Sequence, residues 1–416
     1  MLLKMNISKL LPFAVALVLL ISMISFGMQS KGSSKKIEET APPSTVSQDQ
    51  HFVDTFAKIG TDIEMRGVWV SYFTLDMSGT DRSEKAFRQK FDEIVKTAKQ
   101  AGFNTLIVQV RPFSDALYQS KYFPTSHVIT GEQGAQLKYD PLKYMCEKSH
   151  EMGLAIHAWV NPYRVASKHD TKLSKNNPYY INNALGVVWK DEVYYNPALK
   201  EVRALIINGV KEIAENYDVD GIQFDDYFYP TQDKEFDKAE YDFYKKSVEN
   251  QNNILSLDEW RKANVNILIA ETYRAVHGTK KNVVFGISPQ GNLKNNNKLY
   301  ADVAAWCRAV GYIDYICPQI YFSLDNPSLT FEESLAEWID LQKHKQLKIY
   351  VGLAGYKAGT EEDSGTWLDN DDILMQEIQI IREKDILGFM LYSYEALLDE
   401  TNKAEIENVI ALINAE

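Results

Sequence analysis

Cysteine, positive charge and clustered histidine are what this chain has least of. Its three cysteines, Cys146, Cys307 and Cys317, stand in apolar surroundings without CxxC spacing. That pattern supports neither a disulfide framework nor a zinc knuckle, and the three read as buried thiols. Lysine and arginine total 45 against 57 aspartates and glutamates, a formal charge of −12. A nucleic-acid surface needs a basic stripe to displace counterions, so DNA and RNA are not expected partners. Seven histidines are scattered and no HExxH occurs; no metal site is expected, and His157, inside an apolar run, reads as a satisfied core imidazole. A GxSxG elbow is missing as well. Gly286-Ile-Ser288-Pro289 imitates one only superficially, and no histidine–acid pair stands by to activate that serine. After the first strand Arg66-Gly67-Val68-Trp69 runs into Ser71-Tyr72-Phe73 with no glycine-rich turn, so no nucleotide cofactor is expected either.

What is present is a large apolar inventory, 45% hydrophobic and 12% aromatic over 416 residues, enough for the core of one large domain. The N-terminus carries a separate message. Lys4 and Lys9 precede an uncharged apolar stretch from Leu10 to Met28, and a polar run from Gln29 to Glu39 follows. Residues 1–29 read as an export segment, either a signal peptide or a membrane anchor, because the stretch just suffices to cross a bilayer and no clean small-x-small cleavage site is present. Residues 30–60, with Ser, Thr, Pro, Lys and Gln prominent, read as a flexible linker. The expected location is extracytoplasmic, secreted or tethered through residues 10–28 to the cell membrane and facing the wall.

Residues 61–416 alternate short β-branched or aromatic runs with amphipathic stretches, the pattern that builds a parallel sheet through right-handed crossovers. Eight such runs occur: Arg66 to Tyr72, Asn104 to Arg111, Leu154 to Asn161, Val219 to Asp226, Asn282 to Ser288, Tyr315 to Tyr321, Lys348 to Gly355 and Gly388 to Tyr394. Eight strand–helix repeats predict a (β/α)8 TIM barrel, with a doubly wound open sheet as the competing fold. The longest connections, Pro112 to Asp140, Pro162 to Asn196 and Tyr227 to Leu257, follow the second, third and fourth runs and are expected to form one wall of a cleft.

The most informative segment is Val219-Asp-Gly-Ile-Gln-Phe-Asp-Asp-Tyr227, an apolar strand ending in two carboxylates and a phenol. Unpaired carboxylates are costly inside a doubly covered strand, so Asp225 and Asp226 mark the open rim where barrel active sites are assembled. Other strand ends are polar too. Period-two alternation aims Arg111, Asn161, Asp225 and Tyr321 at a common axis. Hydrogen-bonding groups and flat rings together suit a sugar, which has hydroxyl edges and apolar C–H faces. The expected substrate contacts are Arg111, Trp159, Asn161, Tyr163, Gln223, Tyr227, Gln319, Tyr321 and Tyr394. Glycoside cleavage needs two carboxyls; Asp225 comes first, Asp226 swaps roles with it if the strand bends, and Glu395 or Asp115 supplies a second acid. The rival reading is a glycan-binding wall protein that lacks a competent second carboxylate.

Several ordered blocks carry a resemblance. They are Met65-Arg-Gly-Val-Trp-Val70, Gly102-Phe-Asn-Thr-Leu106, Val108-Gln-Val-Arg-Pro112, Tyr139-Asp-Pro-Leu142, His157-Ala-Trp-Val-Asn-Pro-Tyr-Arg164, Asn196-Pro197, Asp220-Gly-Ile-Gln-Phe-Asp-Asp-Tyr227 and Cys317-Pro-Gln-Ile-Tyr321. From Glu64 to about Tyr394 the chain resembles the glycosyl-hydrolase-like 10 family of bacterial exported proteins. The resemblance implies a barrel glycosidase of the cell envelope that acts on peptidoglycan glycan strands, with the Asp225–Asp226 pair at its centre. The chain departs from the large retaining clan whose glutamates end strands four and seven, since strand four offers aspartate and strand seven ends Gly355-Tyr356.

Overall fold

The computed structural model describes residues 63–368 and 370–415; the expected export segment and linker, residues 1–60, lie outside them. Eight parallel staves follow in chain order: β1 (Met65–Val70), β2 (Thr105–Arg111), β3 (Ala155–Val160), β4 (Gly221–Phe224), β5 (Val284–Ile287), β6 (Tyr315–Ile316), β7 (Lys348–Ile349, continuing as Val351–Leu353) and β8 (Gly388–Leu391). Each pairs with the next. The ring closes through β7, whose first segment pairs with β6 (Lys348 opposite Tyr315) and whose second pairs with β8 (Val351 opposite Phe389), while Met65 of β1 stands opposite Gly388. A helix follows every stave: α1 (Glu84–Gln100), α2 (Pro141–Glu151), α3 (Lys200–Asn216), α4 (Leu257–Thr279), α5 (Val303–Arg308), α6 (Phe331–Leu341), α7 (Ile373–Glu383) and α8 (Lys403–Asn414). This is the (β/α)8 barrel that the strand–helix alternation predicts.

Local chemistry explains the helix starts. Ser83 and Asp140 cap α1 and α2, with Pro141 in the first turn of α2; Ser256 with Glu259 and Thr330 with Glu333 form reciprocal capping boxes on α4 and α6, each cap contributing about 1 kcal/mol. The strands are shorter than the expected runs, the sixth most of all. Regular pairing on β6 stops before Pro318, which has no N–H to continue the ladder. Beyond it the chain keeps only bridges, Gln290 with Gln319 and Gln319 with Gly352. The helix after β5 starts at Val303, past Tyr300, which takes a positive φ of 57°.

Alternation divides the apolar residues between two cores. Val68, Val70, Leu106 and Val108 face the helices, whereas Trp69, Ile107, Trp159, Tyr315 and Met390 fill the barrel lumen. Gly286 makes this possible, since a Cβ there would fall 2.2 Å from the Tyr315 ring. The lumen also holds a satisfied polar chain. Trp69 Nε1 donates to Gln223 Oε1 at 2.7 Å, Gln223 Nε2 donates to the Tyr315 hydroxyl at 3.1 Å, and that hydroxyl lies 3.0 Å from His157 Nδ1. Burial pushes the His157 imidazole down to about 4, so it is neutral. All three cysteines are buried free thiols.

One buried acid is left without partners. Glu377 on α7 is fully enclosed and neither carboxyl oxygen accepts a hydrogen bond, while its neighbour Glu405 on α8 accepts from the Ile373 and Leu374 amides at 2.9 and 3.1 Å. Burial, then the Glu405 charge, raises Glu377 well above the ordinary 4.5. A raised folded pKa means the contribution to stability is complete below pH 4.5 and drains as pH rises toward the folded value. Glu377→Gln keeps the neutral shape, so its stability advantage should grow at about 1.4 kcal/mol per pH unit above that threshold. Urea midpoints of both proteins from pH 4 to pH 9 test this, and parallel curves would refute it.

Candidate active site

The carboxyls expected at the rim are there, and both are enclosed: Asp225 is 3% exposed and Asp226 8%. They follow β4 at the C-terminal mouth. Asp225 Oδ2 accepts from Trp159 Nε1 at 3.2 Å and from Asn161 Nδ2, and Oδ1 accepts from the Tyr227 amide at 3.3 Å. Asn161 is held in turn by Gln109, whose Nε2 donates to Asn161 Oδ1 at 2.7 Å. Asp226 faces a different pair of donors, Gln290 Nε2 at 2.9 Å and Gln319 Nε2 at 3.2 Å. Gln319 is fixed by a second bond to the Ser288 carbonyl at 3.0 Å. The bend at the strand end thus turns both acids inward, each onto its own amides.

These environments separate two acids that are chemically identical. Burial raises both, and for Asp225 the adjacent Asp226 charge adds to it, against the Trp159 and Tyr227 hydrogen bonds and the Arg164 charge. On Asp226 the Gln290 and Gln319 donors oppose burial. In so close a pair, whichever carboxyl ionises first holds the proton on the other. Two carboxyls pushed apart in this way can supply a proton donor and an anion at one pH.

The other candidates divide by where the backbone takes them. Trp159, Asn161, Gln319 and Tyr227 surround the pair, and Tyr227 is 50% exposed at the opening. Tyr321 lies at the same mouth, its ring 5.9 Å from Tyr356 and 6.0 Å from Tyr392. Gln223 sits below, within the lumen chain. Arg111 does not reach the axis. Between Gln109 and Arg111 the β2–β3 register slips, so two residues oppose one and the alternation inverts. The guanidinium instead lies 4.4 Å over the Phe123 ring against α3, where a Cβ on Gly209 would come 2.6 Å from its Nη1. Tyr163 is enclosed on the same outer side, its phenol raised first by burial with only the Arg203 charge opposing. Tyr394 enters a turn (Tyr394–Leu397) directly past β8, which puts its hydroxyl beside Thr97 and Glu93 of α1; Tyr392 faces the mouth in its place.

Glu395 does reach the rim, but its oxygens are occupied. Ser71 Oγ donates at 2.8 Å, and Thr74 and Ser393 donate as well. Burial alone would raise this carboxyl; the Ser393, Thr74 and Ser71 hydroxyls together hold it below its ordinary value. It joins the turn after β1 to the turn after β8. Asp115 is fully enclosed in the loop after β2, accepting from Gln133 at 3.0 Å and facing His127 Nδ1 at 3.3 Å.

Gln290 and Arg164 stand outside the expected substrate contacts. Gln290 matches Gln319 in kind, since Pro289-Gln290 and Pro318-Gln319 end successive strands, and this repeated dipeptide was the available signal. Arg164, just past Tyr163, lies 4.8 Å over Phe113 and 5.9 Å from the Tyr227 ring. It starts a small antiparallel sheet (Arg164–Ala166, Glu192–Tyr195 and Gly186–Trp189) in the long connection after β3. With the β2 loop this sheet walls a side cleft of about 770 Å³.

The comparisons agree with this architecture. Among solved structures, the glycoside hydrolase domain of PgaB (BpsB) from Bordetella bronchiseptica matches over 85% of this chain and 99% of that one, with a TM-score of 0.56 and 11% identity, a likeness of fold. Glycosyl hydrolase YngK of Bacillus subtilis (strain 168) is 33% identical over 369 residues, 83% of this chain and 71% of the relative. Glycosyl hydrolase DigH of Escherichia coli (strain K12) is 30% identical over 329 residues, 71% of this chain and 74% of the relative. The model of the Glycosyl hydrolase-like 10 family matches residues 64–369, and the chain belongs to that family.

Proposed function

We propose that this glycoside hydrolase works outside the cytoplasm and cleaves the glycan strands of peptidoglycan or a related polysaccharide, Asp225 donating the proton and Asp226 serving as the anion. One observation carries the catalytic part: two neighbouring carboxyls at the barrel mouth, both raised by burial, each held by its own hydrogen-bond donors and coupled so that one charge disfavours the other. Cleavage needs a proton on the departing oxygen and a carboxylate that attacks the sugar or activates water. Half-exposed Tyr227 and the Tyr321–Tyr356–Tyr392 cluster offer ring faces to the C–H side of a pyranose. The export segment read from Leu10 to Met28 supports an envelope substrate.

The test is digestion of purified glycan strands, with and without stem peptides, by the full chain while counting new reducing ends. Steady release from either substrate is the expected result. Binding of the strands without new reducing ends would overturn catalysis and favour the glycan-holding reading.

A further inference from the structure

The side cleft beyond β1, β2 and β3 is unclaimed by the chemistry above. Its volume of about 770 Å³ lies within the range of ligand pockets, roughly 300–1,000 Å³. Tyr72 and Phe113 contribute rings 5.4 Å apart at an edge-to-face angle, and Phe73 beside them is 69% exposed. A phenylalanine left that open next to two further rings is an apolar patch of the kind that marks a binding surface. Arg164 lies between a ring of this cleft and a ring at the barrel mouth. Its guanidinium lies over Phe113, which lines the cleft, and near Tyr227, whose amide binds Asp225.

The charges leave Arg164 as the group with work to do. Glu192 is its ion-pair partner at 4.0 Å, the limit of such a contact, and Glu192 also accepts the Tyr194 hydroxyl. Among the described residues the Arg164 guanidinium donates no hydrogen bond, and a fifth of the side chain reaches solvent. The acids of the cleft are engaged. Asp115 faces His127 and Gln133, Glu132 pairs with Lys172 at 2.9 Å, and Asp76 accepts from the Ser78 amide and hydroxyl at 2.7 Å each. A planar cation with free donors beside aromatic walls is matched by a carboxylate, which takes two parallel N–H bonds.

We infer that the side cleft seats a sugar unit flanking the scissile bond, and that Arg164 binds a carboxylate carried by that sugar. The inference rests on the glycosidase reading and narrows its substrate to an acidic glycan. The test uses the full chain and three oligosaccharides of equal length and linkage, one neutral and N-acetylated, one bearing a carboxylate and one bearing free amines. Wild type should favour the carboxylate form in kcat/KM. Arg164→Gln should lower the ratio of carboxylate to neutral kcat/KM by roughly ten- to a hundredfold. Arg164→Lys should recover part of it, because the charge stays and the fork is lost. The ratio cancels any effect that the substitution has on Asp225. A wild-type ratio near one, a ratio unmoved in Arg164→Gln, or a preference for the amine form would overturn the assignment. If none of the three is cleaved, the glycosidase proposal fails instead; the inference is then decided by calorimetric binding of the carboxylate form, which Arg164→Gln must weaken by the same factor.

Discussion

Asp225→Asn should lower kcat by about 10²- to 10⁴-fold on glycan strands, the range that general acid catalysis contributes. The substitution is close to isosteric. The amide oxygen can still accept from Trp159 and Asn161, leaving the amide nitrogen against the Tyr227 N–H, the longest contact at 3.3 Å. Loss of rate should therefore come with little loss of fold, the one new cost being the amide nitrogen left facing the Tyr227 N–H. The pH profile adds a signed check. The proposed mechanism needs one carboxyl of the pair ionised and the other protonated, so kcat/KM should be bell-shaped, with both limbs above the ordinary 3.8 of an aspartate because burial raises both groups. Asp226→Asn removes the neighbouring charge that helps keep Asp225 protonated. In that variant the Asp225 titration, followed by its carboxyl chemical shift, should move to lower pH. An Asp225→Asn enzyme within threefold of wild type would remove this residue from the mechanism.

How much of this was readable beforehand depended on where the backbone stays regular. Period-two alternation brought Trp159, Asn161 and Asp225 to one mouth, since β3 and β4 run without interruption up to their ends. It failed at Arg111 because a bulge is a property of hydrogen-bond register, which the string Gln109-Val-Arg111 does not encode. It failed again at Tyr394, where a helical turn follows β8 and the rule for strands no longer applies. Glu395 illustrates a different limit. Two of its three hydroxyl partners, Ser71 and Thr74, lie more than 300 residues away in sequence, so only ring closure makes the carboxyl a strut between loops. Barrel closure was legible because it rests on eight repetitions, whereas each rim contact rests on a single geometry.

Removing Arg261 should cost about 3–5 kcal/mol of stability, the penalty for leaving a buried charge uncompensated. Arg261 on α4 and Asp237 are both fully enclosed. Nε lies 3.0 and 2.9 Å from the two Asp237 oxygens, Nη1 donates to the Tyr300 hydroxyl at 3.0 Å, and Nη2 donates to the Asp233 carbonyl at 2.6 Å. These bonds tie the loop after β4 to α4 and to the segment after β5. That loop begins at Tyr227, next to the buried carboxyl pair, and Arg261 also sits 5.2 Å from the Tyr229 ring. Arg261→Met should thus lower the urea midpoint strongly and raise KM more than it lowers kcat, because loosening the loop disturbs the opening before it disturbs the amide-bound acids. Adding Asp237→Leu removes the stranded carboxylate and should return a large part of the stability, though not the order of the loop, since the Asp233 and Tyr300 contacts stay lost. A single variant that loses less than 1 kcal/mol, or a double variant no more stable than the single, would show that the ion pair does not anchor this wall of the mouth.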